Sequence, residues 1–396
     1  MTRSPWVRLA LALLALTVLA LGALRTARVW AERQFERELG SLEPAAYTRP
    51  AVKTDDNAAR YFLAAAGKLR VEEEEAKLLA AWALHPEDPA DGRLSALVAK
   101  NEPALRLAKQ GAGLFSSFYG LDYASGFHAA LPDLPQLVTL GRLLGLEARL
   151  ARERGEAGRM VSALSALASL SASLESEPGI TVFHGGVSLE RLQLAELALA
   201  LEDPRLPTAR LAQLRDAFSP VALEEVFRRV VGLEEASLRQ EVPEKTGLAT
   251  FGAADFWRFS SAQKARKLAA LGARPCARWA ADTRWEELGN HEARLLLVLA
   301  QAQGVRASRL LLQAATLCLR HHGEHGSLPA SLGFFPEALH ENPFTGKPLA
   351  YDASTGSLAV PDGTALWSTL RLPAPPPPFT VRLPLGGEKP ARRSRE

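Results

Sequence analysis

Hydrophobic positions divide the chain into three stretches with different patterns. The first is a single uncharged run, Leu9 to Leu24, with Arg3 and Arg8 before it and Arg25 and Arg28 after it. With Trp6 and Val7 added, it nears the ~20 residues a helix needs to cross about 30 Å of hydrocarbon. Backbone amides inside lipid must be paired within the segment, so the run predicts a membrane-spanning helix. A cleaved export signal is the competing reading. The basic start, the apolar centre and Ala20-Leu21-Gly22 suit it; the length of the run and the arginines directly after it do not. Both readings export the bulk of the chain. The expectation is a single-pass anchor in the inner (cytoplasmic) membrane. It meets the lipid bilayer through residues 9–24 and leaves most of the protein on the extracytoplasmic side.

The second stretch has helical periodicity throughout. Ala27, Ala31, Phe35 and Leu39 recur at i+4 and carry the first helix on to Gly40. Ser41 to Lys53 reads as a linker. Asp55 and Asp56 open a helix with Ala58, Tyr61, Phe62 and Ala65 on one face, and Glu72 to Glu75 form the acidic first turn of the next. Asn101-Glu102-Pro103 predicts a capped helix start, and the aromatic stretch Leu114 to His128 predicts a loop folded over the core. The clearest signal is a pair of helices, Asp133 to Arg154 and Glu156 to Leu174, joined at Gly155. Leu137, Leu140, Leu144, Ala148 and Ala151 line the first and Leu164, Leu167, Leu170 and Leu174 the second, so the two must pack antiparallel. Phe183-His184-Gly185-Gly186 reads as a turn before a helix capped by Ser188. It is not taken as an oxyanion hole, because no G-x-S-x-G serine accompanies it. Further helices are expected after Ser219-Pro220, over Asp255 to Leu271, from the capping-box spacing Thr283 to Glu286, and over Glu292 to Gln303 and Val305 to His322.

The third stretch begins beyond Gly326. Leu349 to Tyr351 and Ser357 to Val360 flank Ser354-Thr355-Gly356 as a small hairpin, to which Ala365 to Leu370 adds a candidate third strand. Leu310 to Leu319 is apolar all round, which requires burial on more than one side. The hairpin is therefore expected to fold back over that helix, with Phe344, Leu349 and Tyr351 inward. The fold class expected is mainly α: a single N-terminal transmembrane helix, a helical-hairpin array and a small C-terminal α+β module with a short β-hairpin. The divisions are 1–40 (anchor and juxtamembrane helix), 41–304 (all-α body), 305–372 (terminal helix plus β module) and 373–396 (a disordered, proline-rich basic tail).

Composition narrows the function classes. Of 396 residues 47 % are hydrophobic and 23 % charged, as in an ordinary packed protein, and a formal charge of +3 gives no reason to expect nucleic acid as a partner. Cys276 and Cys318 are too few for a disulfide framework; one bridge and two buried free thiols both stay open.

Candidate chemistry concentrates in His321-His322-Gly323-Glu324-His325, which satisfies H-x-x-E-H, the inverted zinc-protease pattern. Such a site needs both imidazoles on one face of a continuous helix and a third ligand from elsewhere. Gly323 is read as interrupting the helix, and no suitable glutamate follows. His321, Glu324 and His325 are therefore retained only as weak metal candidates, and no catalytic residue, cofactor site or cofactor is assigned. Gly346-Lys347 is no phosphate loop, since Pro348 stands where Ser or Thr is needed.

A longer pattern carries a resemblance. A long apolar helix ends in His325-Gly326, then Leu328-Pro329-Ala330-Ser331-Leu332, then Asn342-Pro343-Phe344-Thr345-Gly346-Lys347-Pro348-Leu349 and Tyr351. This resembles the C-terminal module of a group of uncharacterised membrane-anchored bacterial proteins, with the pattern HG-x-LP-x-SL followed by DPF-x-G-x-PL-x-Y. The helix-then-sheet order is similar to the globular part of type II secretion pseudopilins. Asn342 replaces the aspartate of the pattern and can still start the turn. The anchor lacks a prepilin cleavage pattern, so a pilus subunit is not implied. The resemblance marks Gly326, Pro329, Pro343, Phe344, Gly346 and Tyr351 as structural residues and supplies no catalytic ones. The leading expectation is a non-enzymatic, membrane-anchored cell-envelope scaffold or interaction protein with an unknown protein partner. The alternatives are a metal-dependent hydrolase using the His321–His325 region and a secretion-system-associated component.

Overall fold

The computed structural model of the chain describes residues 5–39, 49, 51–86, 88, 90–114, 116–124, 131–205, 218, 223–241, 274–283, 290–334, 342–372 and 376–384. The apolar run lies within α1 (Pro5–Leu39), 35 residues long. Every side chain from Leu13 to Ala27 is exposed. Most of the linker after α1, the expected helix start at Ser219-Pro220, the basic helix expected over 255–271 and most of the capping box at 283–286 lie outside the described residues.

Four shorter helices follow: α2 (Ala58–Ala66), α3 (Glu73–Leu84), α4 (Gly92–Lys100) and α5 (Glu102–Gly111). Their alanine and leucine faces pack on each other and on the helices beyond. Glu72 to Glu75 close a capping box, with the Glu72 amide donating to Glu75 Oε2 at 2.8 Å. Asn101 does not cap α5 as expected. Its side chain instead bonds the Arg70 amide and the Arg70 and Leu97 carbonyls, tying the α2–α3 connection to α4. The aromatic loop folds over the core: Tyr119 Oη lies 2.7 Å from Ser173 Oγ, and Tyr123 donates to Glu177 Oε2 at 2.8 Å.

The predicted hairpin is α6 (Leu134–Glu153) and α7 (Ala157–Glu175), joined through Gly155 at φ 74°. Both pack on α8 (Ile180–Leu201). Phe183 to Gly186 is not a turn but the second turn of α8. A Cβ on Gly186 would sit 2.6 Å from the Glu175 amide nitrogen, so this glycine lets two helix backbones approach closely. Gly141 and Gly145 of α6 similarly receive Leu189 and Leu192 of α8.

Then come α9 (Leu223–Glu241), α10 (Cys276–Asp282) and α11 (Asn290–His325). The two apolar helices expected over 292–322 are one helix of 36 residues. Gly304 does not stop it, because the glycine makes room for Trp367, whose Cζ3 would lie 2.6 Å from a Cβ there. Among the described residues, Ala293–His325 is the one stretch that passes a length-and-hydropathy test for a membrane span, but 83 % of its apolar window is buried inside the protein. It is the core helix of the C-terminal half.

The module forms β1 (Ala350–Asp352), β2 (Ser357–Ala359), α12 (Gly363–Thr369) and β3 (Thr380–Arg382). The sheet is antiparallel in the order β1-β2-β3, with Tyr351 opposite Leu358 and Leu358 opposite Val381. Two expectations change here. Residues 365–369 are helical rather than a strand and Leu370 caps the helix, since Asp362 at φ 58° turns the chain and the Leu366 amide returns to its carbonyl. The third strand comes from the tail expected to be disordered: beyond Pro378, Phe379, Val381 and Leu383 are buried. Strands β2 and β3 pack on α11, so the module folds back over it. The whole is mainly helical, with twelve α-helices and one three-stranded sheet among the described residues.

Candidate functional site

The residues singled out by sequence converge on the C-terminal end of α11 and the module wrapped around it. Gly326 at φ 74° stops the helix, its amide donating to the His322 carbonyl at 2.8 Å. Gly323 does not break the helix as expected. It lies inside α11, where an exposed glycine costs only about 1 kcal/mol relative to alanine. Four-residue spacing therefore stacks His321 and His325 on one face. Their ring centroids are 4.3 Å apart with planes tilted by 49°. His321 Nδ1 lies 3.0 Å from the Ser327 carbonyl oxygen. A carbonyl only accepts, so Nδ1 is the donor in this contact, and in the neutral ring that leaves Nε2 with its lone pair. Glu324 reaches Arg320 at 3.5 Å and His325 Nε2 at 4.0 Å. Among the described residues no group of three or more His, Cys, Asp or Glu side chains comes together for a metal ion.

The Asn-Pro-Phe loop is a buried bracket. Asn342 accepts from the Phe344 and Thr345 amides at 3.2 and 2.8 Å and donates to Thr345 Oγ1 and the Lys347 carbonyl at 2.9 and 2.7 Å. The Pro343 and Phe344 carbonyls accept from Cys276 and Ala277, the first two amides of α10. Gly346, at φ 67°, lies against Pro275, where a Cβ would come within 2.9 Å of Cγ. Phe344 is fully buried and stacks on Phe379 with centroids 5.5 Å apart, while Trp367 meets both edge-on. Tyr351 donates to the Pro329 carbonyl at 2.7 Å, which joins the Leu-Pro segment to β1. Cys276 and Cys318 are both buried and free, and burial pushes both thiols up, that of Cys318 to about 12.

Sequence reasoning missed a set of buried charges inside the body. Arg309 of α11 holds Glu190 of α8 in a bidentate pair, donating from Nε and Nη2 to the two carboxylate oxygens, and reaches Glu175 of α7 at 3.6 Å. Arg149 of α6 grips Glu196 of α8 through two bonds of 2.9 Å. Lys109 and Arg159 share Glu147. The signal was present as charged residues in otherwise apolar helical stretches. Nearby, His184 Nε2 lies 2.7 Å from Gln301 Oε1, and burial lowers its basicity. Burial raises Glu234 to about 7 against the opposing charge of Arg294.

No family model, no curated protein and no solved structure matches the chain.

Proposed function

We propose that the chain is a single-pass inner-membrane protein that holds its helical body and C-terminal module on the extracytoplasmic side as a scaffold or docking partner for another envelope protein. One observation carries the reading. Leu13, Leu14, Leu16, Val18, Leu19, Leu21 and Leu24 of α1 are each at least 50 % exposed, while the leucines of α6 to α8 are almost wholly buried. A continuous apolar surface of this kind is a contact surface, not a solvated one. A run without charge flanked by arginines fits lipid. The buried ion pairs support the scaffold part, because they fix the relative register of α6, α7, α8 and α11.

A second reading, a secretion-associated component, draws support from the order of α11 followed by an antiparallel sheet. The hydrolase reading keeps its histidine pair on one helical face but gains no third ligand among the described residues.

The test is photo-crosslinking in the cell from the exposed positions Arg93, Arg106 and Arg228. A discrete crosslinked species that disappears when residues 5–39 are deleted is the expected result. Crosslinks only to bulk protein, unchanged by the deletion, would contradict it. Ester or peptide turnover by the purified chain that is lost in His321→Ala would establish the hydrolase instead.

A further inference from the structure

We propose that His321 and His325 form a two-imidazole clip for a borderline transition-metal ion, Zn²⁺, Ni²⁺ or Cu²⁺, at the exposed end of α11. This is a binding site and not a catalytic one, and it does not rest on the membrane reading. Imidazole nitrogen is the donor such ions prefer, whereas Mg²⁺ and Ca²⁺ require oxygen.

Three observations converge. The continuous α11 stacks the two rings one turn apart with centroids 4.3 Å apart. Metal–nitrogen distances of about 2.0–2.1 Å put two nitrogens on one ion some 3–3.5 Å from each other. Rings this close meet that requirement by small side-chain rotations. Second, the Nδ1–H of His321 is already engaged by the Ser327 carbonyl at 3.0 Å. This is the arrangement that fixes the tautomer and orientation of a metal-ligating imidazole, and it leaves Nε2 as the ligating atom. Third, the site is accessible: the His325 and Glu324 side chains are 59 % and 58 % exposed, and Glu324, 4.0 Å from His325 Nε2, adds negative charge beside the ion. Water completes the coordination shell.

The clip spans the last turn of α11, and the carbonyl that orients His321 lies beyond the Gly326 stop. Bound metal therefore tightens the junction between α11 and the Leu-Pro segment of the module.

Titration of the full-length protein in detergent with Zn²⁺ and Ni²⁺, followed by calorimetry, tests the proposal. One ion per chain is expected, with no heat from Mg²⁺. His321→Ala and His325→Ala should each weaken binding by about a hundredfold, since either change replaces chelation by a single ligand. His322→Ala, one residue on and about 100° round the helix from His321, should leave it unchanged. Two-dimensional ¹⁵N spectra of the imidazoles should show Nε2 of His321 as the atom perturbed. Equal binding by wild type and the His321→Ala, His325→Ala double variant would overturn the proposal, as would loss of binding in His322→Ala alone. Perturbation at His321 Nδ1 would overturn the assigned geometry.

Discussion

Asn342 shows how one amide side chain can hold a loop. It uses its oxygen for two backbone amides and its nitrogen for a hydroxyl and a carbonyl, and is itself fully buried. An aspartate, the residue of the pattern this segment resembles, would keep the oxygen's role and lose both donations. Asn342→Asp should lower stability by about 1–3 kcal/mol, the usual cost of leaving buried polar groups unsatisfied, measurable as a reduced urea midpoint at pH 7. Equal stability would mean that the turn rearranges around a carboxylate. Glu234 gives a pH dependence of opposite sign to most carboxylates. Burial raises it to about 7 in the folded protein, so the folded state holds a proton that the unfolded chain releases near pH 4.3. Its contribution is full below that range and is lost as pH rises through about 7, by about 3 kcal/mol in all. Glu234→Gln should flatten this fall between pH 4.5 and 7 in denaturation curves; an unchanged slope would show that Glu234 ionises normally. At this scale Phe344, Gly346 and Tyr351 were legible, because turn chemistry and a buried aromatic are local signals. Arg309 and Arg149 were not, since a buried arginine reads as a surface one until its glutamate is found on another helix.

Elements followed the hydrophobic period where glycine and proline played their usual roles, and departed from it where they did not. Gly155 and Gly326 end helices at positive φ; the first end was read from sequence to within a residue, whereas the end expected at His322 fell three residues short of His325. Gly186, Gly304 and Gly323 are helical. The first two serve close packing and the third an exposed turn, so glycine alone misplaced a turn, split α11 in two and broke it at its end. The tail misled for a complementary reason. Prolines 375–378 suggested disorder, yet the alternating buried residues Phe379, Val381 and Leu383 complete the sheet. The same packing makes the module dependent on Phe344, which touches Phe379 and Trp367 and whose backbone caps α10. Phe344→Ala should cost about 3–5 kcal/mol. Hydrogen exchange should then rise over α10, β2, β3 and residues 310–319 while α6 and α7 keep their protection. Wild-type protection at residues 310–319 in that variant would show that α11 does not need its cover.

On the scale of the whole molecule, two arrangements of apolar surface stand side by side. In the body and the module, leucine, alanine and aromatic side chains form two large buried clusters, bridged by α6, α7 and α8, which contribute to both. In α1 the leucines point outward along 15 residues, 13–27, all exposed. The proposed membrane reading gives that surface to lipid. Membranes from cells producing the full chain, washed in alkaline carbonate, test this most directly. The full chain should stay in the pellet, and a chain lacking residues 5–39 should not. Release of the full-length protein by carbonate, or recovery of a soluble form beginning near Ala23, would contradict it.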